Sequence, residues 1–215
     1  MSVVVAIKKD GKVIIGADSQ STRGSSKRTL TNPNNYKIWR VLDAENCLMA
    51  HVGLAREANI LRVTRELIPE LIQIKDGVGF SFVVKKLVPS LFDVLEEYRA
   101  LKKEDGVPRF DSSFLFAYKD RLFYISGNGT VIEIDDYCAI GSGESEAIGS
   151  LTSTEGEPCV ERIKKAINAA AVNDVHVDYP VIVTDTESME FEVFYETELC
   201  TRKKEDMLSM PLVEG

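Results

Sequence analysis

The order of residue patterns along these 215 residues predicts an α+β protein of four layers, α-β-β-α, with two antiparallel sheets packed face to face. Three observations carry that expectation. Apolar, β-branched runs alternate with turn dipeptides; two pairs of segments have helical spacing; and the elements come in the order strands, two helices, strands, two helices, strands. Each sheet must cover one face, and two pairs of helices cover two sheets. A hydrophobic content of 44% is enough for one core of this kind. A single domain over residues 1–215 follows, with 196–215 as a charged tail.

Taken in order, residues 3–9 and 12–19 are apolar runs joined by Asp10-Gly11, the dipeptide of a two-residue hairpin. Residues 21–35 are rich in Ser, Thr and Asn and contain Pro33; they read as an extended loop. Residues 36–42 and 47–53 read as a second antiparallel pair, turning near 43–46. From 54 to 74 the period changes, with Ala58, Leu61, Val63, Leu67, Ile68 and Leu71 at helical spacing until Asp76-Gly77. A second helix follows over 81–102 on the stripe Val84, Leu87, Val88, Leu91, Leu95 and Tyr98. Asp105-Gly106-Val107-Pro108 ends it. Strands return at 113–118, 122–126 and 131–134, with turns at Lys119-Asp120 and Gly127-Asn128-Gly129. The segment Cys138-Ala139-Ile140-Gly141-Ser142-Gly143 leads into a helix over 144–153. Another spans 158–172, with Pro158 suited to a first turn. Strands at 181–184 and 191–195 close the pattern.

Composition excludes several classes of function. The net charge is −8, from 26 basic and 34 acidic residues, which disfavours a nucleic-acid partner because phosphate neutralisation needs a basic surface. The one basic cluster, Arg202-Lys203-Lys204, runs directly into Glu205-Asp206. No apolar run reaches the ~18 residues of a membrane span, and no basic-then-apolar leader opens the sequence. Cys47, Cys138, Cys159 and Cys200 lack paired spacing. They read as thiols in a reducing cytoplasm, with neither disulfides nor a zinc site. No cofactor is expected.

Chemistry enters at Met1-Ser2. Removal of the initiator methionine leaves Ser2 with a hydroxyl and a free α-amine on one residue. That amine has an ordinary pKa of about 7.7–8.0 and serves as a general base for its own hydroxyl. A histidine-dependent serine hydrolase is disfavoured: His51 and His176 are the only histidines, and no Gly-x-Ser-x-Gly elbow occurs.

Residues 2–20, Ser-Val-Val-Val-Ala-Ile-Lys-Lys-Asp-Gly-Lys-Val-Ile-Ile-Gly-Ala-Asp-Ser-Gln, resemble the N-terminal hairpin of proteasome β-subunits, and most of all the HslV-type peptidases. The resemblance continues through Tyr36-Lys37-Ile38, His51-Val52-Gly53-Leu54-Ala55 and Ala139-Ile140-Gly141-Ser142-Gly143, and covers roughly residues 2–195. It implies an N-terminal nucleophile hydrolase that cleaves peptide bonds. Ser2 stands where the family has its catalytic threonine, and lacks the methyl group that restricts χ1. Asp18 matches the family's aspartate beside the nucleophile. Lys37 matches its lysine, whose charge lowers the pKa of the neighbouring amine. Gly53 matches the glycine whose N–H stabilises the oxyanion, and Ser142 matches the serine that supports the amine. Ser21, His51 and Ala55 are implied to contact substrate, and Trp39 is expected to line the same pocket. His51 shares a strand face with Gly53 by alternation and suggests a polar or modest-sized pocket.

There is one departure in the residues. The family carries an aspartate late in its last long helix and a serine three residues on. Aligned from the helix, Asn168 and Ala171 hold those places; aligned from the following strand, Ala170 and Asn173 do. Asp174 and Asp178 are the acids nearby. The resemblance further implies a homo-oligomeric ring, peptide or unfolded-protein substrates, and an AAA+ ATPase unfoldase as partner. A non-catalytic ring or scaffold subunit and a small-amide hydrolase are the alternatives.

Overall fold

The hairpin at the N-terminus forms the centre of the first sheet. β1 (Val3–Lys9) and β2 (Lys12–Ala17) turn at Asp10 and Gly11, both left-handed with φ of 51° and 79°; such a pair matches the twist of the strands it joins. The structure is a computed structural model and describes residues 2–65, 67–68 and 78–196.

β1 and β2 are flanked by β12 (Tyr137–Gly141), β13 (Val181–Asp185) and β14 (Glu192–Phe194) in the order β12-β1-β2-β13-β14. The second sheet has the order β11-β10-β9-β6-β5, built from β5 (Ile38–Arg40), β6 (Cys47–Val52), β9 (Ser113–Tyr118), β10 (Arg121–Ile125) and β11 (Val131–Ile134). Every pairing in both sheets is antiparallel.

Alternation assigns the layers. Val4, Ala6, Val13 and Ile15 face the second sheet and pack on Ile38, Leu48, Leu115 and Leu122. Val3, Val5 and Ile7 point the other way, onto α4 (Glu144–Ser153) and α5 (Cys159–Asn173). Gly16 lets α5 approach closely, since a Cβ there would lie 2.2 Å from Ile163 Cγ2. The outer face of the second sheet, with Met49, Phe114, Phe116 and Phe123, packs on α1 (Ala55–Val63) and α3 (Val88–Glu97). The four layers are those the sequence predicts.

Several elements differ from expectation. Residues 21–35 are largely ordered as a hairpin, β3 (Gln20–Arg23) with β4 (Ser26–Thr29), followed by a 3₁₀ turn at Pro33–Asn35. β4 is exposed along its whole length, so no apolar alternation marks it. Ser19 carries the chain between β2 and β3 instead of extending β2. The first helix stops at Val63, where Thr64 Oγ1 donates to the Ile60 carbonyl. Part of its expected continuation, including Leu71 and Asp76-Gly77, lies outside the described residues.

The second helix begins as α2 (Phe80–Phe82) and widens into a π-helical turn at Val83–Leu87 before α3. Pro89 explains the widening, because it has no N–H to return to the preceding turn. α3 ends at Glu97, with Arg99 left-handed (φ 51°). Lys102, expected to finish it, instead opens a small hairpin with the residues expected to terminate the helix, β7 (Lys102–Glu104) with β8 (Val107–Arg109). Cys138 to Gly141 is strand, the edge of the first sheet. Cys47, Cys138 and Cys159 are free thiols; Cys200 and the cluster Arg202-Lys203-Lys204 lie outside the described residues. Among the described residues no helix is long and apolar enough to cross a membrane.

Candidate active site

Asp18, directly after β2, organises the base of the site. Its Oδ1 accepts the Val3 N–H and its Oδ2 the Gln20 N–H, each at 2.9 Å. Lys37, one residue before β5, donates its Nζ to the same Oδ1 at 2.6 Å. Asp18 is fully buried and Lys37 is 5% exposed in its side chain. Such a pair persists only when the remaining lone pairs are satisfied, and here two backbone amides satisfy them. Burial pushes the Lys37 pKa below the ordinary lysine value, while the charges of Asp18 and Asp174 pull it back up.

Ser2 is buried beside this pair. Its N–H donates to Ser142 Oγ at 3.0 Å, and Ser142 Oγ donates in turn to the Ser2 carbonyl at 3.4 Å. The Gly143 N–H reaches the same carbonyl at 3.5 Å. Gly141 makes the approach possible: at φ 109°, a Cβ would sit 2.1 Å from the Ser2 carbonyl oxygen. The Gly-Ser-Gly turn thus holds Ser2 through its hydroxyl and its backbone. Ser2, Asp18, Lys37 and Ser142 come together as expected from the sequence.

Gly53 ends β6 with φ 121°, and a Cβ there would lie 2.7 Å from Ser112 Cα. Two residues absent from the sequence reading fix this turn. Ser112 Oγ accepts the Leu54 N–H at 3.0 Å. The Glu57 carboxylate, buried in the first turn of α1, accepts the N–H groups of Asp111 and Ser112 at 2.9 Å each. A charged residue at helical spacing reads as solvent-facing, so nothing in the pattern marked Glu57.

A cavity of about 220 Å³ connects these parts, lined by Ser2, Ser21, Lys37, His51, Gly53 and Ala55 among others. Trp39 does not line it. Its ring packs 5.7 Å from that of His51, and it borders an adjoining groove. His51 is pushed down to about 3 by burial and then by the charges of Lys37 and Arg62. α1 adds Asn59 and Arg62 to the cavity wall. They follow Ala55 at i+4 and i+7, one helical face, which was a signal available once Ala55 was placed there.

The residues that the two alignments place at the late acid make other contacts. Asn168 Oδ1 accepts the Tyr179 hydroxyl, and Ala170 is core. Asp178 is engaged by Lys27 at 2.7 Å. Asp174, just after α5, accepts the His176 N–H through Oδ1 at 2.9 Å. Its Oδ2 is buried with no hydrogen-bond partner, and its charge acts on Lys37. Nearby, Gln20 Nε2 donates to the Val175 carbonyl at 2.7 Å, tying β3 to the segment after α5.

Two antiparallel sheets between helical layers, with the N-terminal strand at their centre, define the α-β-β-α sandwich of the N-terminal nucleophile hydrolases. The sequence model of the proteasome subunit family matches residues 2–179, and the chain belongs to that family. It is 26% identical over 193 residues to the ATP-dependent protease subunit HslV of Lactobacillus leichmannii, covering 87% of this chain and 99% of the relative. The HslV subunit of Caldicellulosiruptor saccharolyticus is 28% identical over 189 residues, covering 86% and 97%. Among solved structures, Thiobacillus denitrificans BPH in complex with epoxomicin superposes with a TM-score of 0.66 at 22% identity, over 85% of this chain and 97% of that one. Eukaryotic HslV from Trypanosoma brucei gives 0.57 at 19% identity, over 85% and 98%.

Proposed function

We propose that this chain is a peptidase of the HslV type whose nucleophile is Ser2, exposed by removal of Met1. The observation that carries the reading is the buried Lys37–Asp18 pair beneath Ser2, whose N–H already rests on Ser142 Oγ at 3.0 Å. Once Met1 is cleaved, the Ser2 amine takes the proton of its own hydroxyl. The Lys37 ammonium, hydrogen-bonded to Asp18 at 2.6 Å, disfavours protonation of that amine and stabilises the ionising oxygen. Oγ adds to the peptide carbonyl, and the Gly53 N–H stabilises the oxyanion. Collapse transfers the proton to the departing amine and leaves an ester on Ser2. Water, deprotonated by the same α-amine, hydrolyses the ester and restores the hydroxyl.

Asp174 supports this machinery from outside the family's usual position. Its buried, unpartnered oxygen and its charge on Lys37 favour it over Asp178, which Lys27 holds. We further infer a cytoplasmic homo-oligomeric ring fed with unfolded protein by an AAA+ ATPase, with residues 1–215 as one domain; similarity to HslV subunits supports this. The competing reading, a non-catalytic ring subunit, draws on Asn168 and Ala170 standing where the family has its acid. Hydrolysis of a peptide amide by the wild type but not by Ser2→Ala tests between them. Equal rates in the two proteins would defeat the peptidase reading.

A further inference from the structure

We propose that the cavity beside Ser2 selects an acidic side chain in the residue preceding the cleaved bond, and that Arg62 sets this preference. The inference rests on the peptidase reading for the cavity's role, but its basis is the cavity's own charge balance. Among the described residues no aspartate or glutamate lines the cavity, while Lys37, His51 and Arg62 all do. Lys37 is already matched by Asp18 at 2.6 Å. His51 is neutral at physiological pH, since burial and its cationic neighbours hold it at about 3. Arg62 is therefore the cation on this wall left without a carboxylate among the described residues.

Its guanidinium is fixed yet unsatisfied. Nη2 donates to the Tyr36 carbonyl, and Cζ lies 5.2 Å from the centre of the Trp39 ring. Nε and Nη1 are buried with no hydrogen-bond partner, as is Nδ1 of His51. Burying a charge without a partner is unfavourable, and an arriving carboxylate offsets that cost. A guanidinium also matches a carboxylate in geometry, with parallel N–H donors. Trp39 in turn packs against His51 with ring centres 5.7 Å apart, so the stack Arg62–Trp39–His51 presents both groups on one rigid wall. A lysine or arginine side chain entering here meets an unopposed positive charge.

The test compares fluorogenic peptides identical except for Glu, Gln, Leu or Lys before the scissile bond. Glu is expected to exceed Gln in kcat/KM by about tenfold or more, the ordinary worth of a hydrogen bond to a charged group, with Lys the poorest. Arg62→Met brings the Glu-to-Gln ratio near one, and Arg62→Lys keeps part of it. Binding of uncleavable product peptides ending in Glu or Gln, measured by calorimetry, is expected to show the same order and needs neither turnover nor a folded variant. Preference for Leu or Lys in the cleavage assay, equal binding of the Glu and Gln product peptides, or an unchanged ratio in Arg62→Met would overturn the proposal. Formation of a covalent adduct on wild-type Ser2 reports separately on the peptidase reading.

Discussion

The base of the site and its wall are built on opposite principles. At the base, the Asp18 carboxylate receives three donors, from Val3, Gln20 and Lys37, and Ser142 serves both the N–H and the carbonyl of Ser2. On the wall, Arg62 and His51 keep buried nitrogens with no partner. Satisfied polar groups fix a geometry; unsatisfied ones hold affinity in reserve for what arrives. On the function proposed above, the first region carries the chemistry and the second the choice of substrate.

The strongest way to break the base is Lys37→Met, which leaves Asp18 charged and buried. Loss of one partner of such a pair costs about 3–5 kcal/mol, and the melting temperature falls by roughly 2–4 °C per kcal/mol for a chain of this size. Calorimetry with and without the accompanying Asp18→Asn checks it: the double variant recovers part of the loss. Gly53→Ala strikes where base meets wall. The added Cβ meets Ser112 Cα at 2.7 Å with φ 121°, so the N–H proposed as the oxyanion donor moves, and turnover is expected to drop by about 10²–10³.

His51 tests the wall through pH. Its folded value of about 3 lies below the ordinary 6.5, so between those values the unfolded chain binds a proton that the folded chain does not. The stability it contributes is complete above about pH 6.5 and is lost as pH falls toward 3. Urea unfolding at pH 4 and pH 7 should therefore differ less in His51→Gln than in the wild type, by on the order of 2–3 kcal/mol. Asp174→Asn has the smallest effect. The Asp174 charge raises the Lys37 pKa, so its removal lets Lys37 deprotonate at lower pH. The alkaline limb of activity is expected to move to lower pH, while Asp178→Asn leaves it in place.

The same dipeptide shows what was legible in the sequence. Asp10-Gly11 lies between apolar β-branched runs and read as a hairpin. Asp105-Gly106 has nearly the same backbone, φ 51° and 80°, but lies between the charged Lys102–Glu104 and the solvated Val107–Arg109, and read as the end of a helix. Strands without apolar side chains carry no burial pattern, which also hid β4, exposed throughout, and β3, whose buried residue is the polar Gln20. The base of the site was legible through the resemblance, whose matched residues lie next to strand ends: Ser2 before β1, Asp18 after β2, Lys37 before β5 and Ser142 after β12. Arg62, Glu57 and Ser112 were not, because their roles depend on how α1 docks against the segment before β9. Asp174 and Asp178 could both be named from the sequence; the ion pair of Lys27 with Asp178 is what favours Asp174 in the function proposed above.

The central claim is that Ser2 acts as an N-terminal nucleophile, and intact mass of protein purified without an N-terminal tag, before and after epoxomicin, tests it most directly. The account predicts loss of Met1 and one covalent adduct that maps to Ser2 and is absent from Ser2→Ala. A retained Met1 with no adduct would contradict it and leave a ring subunit without catalysis of its own.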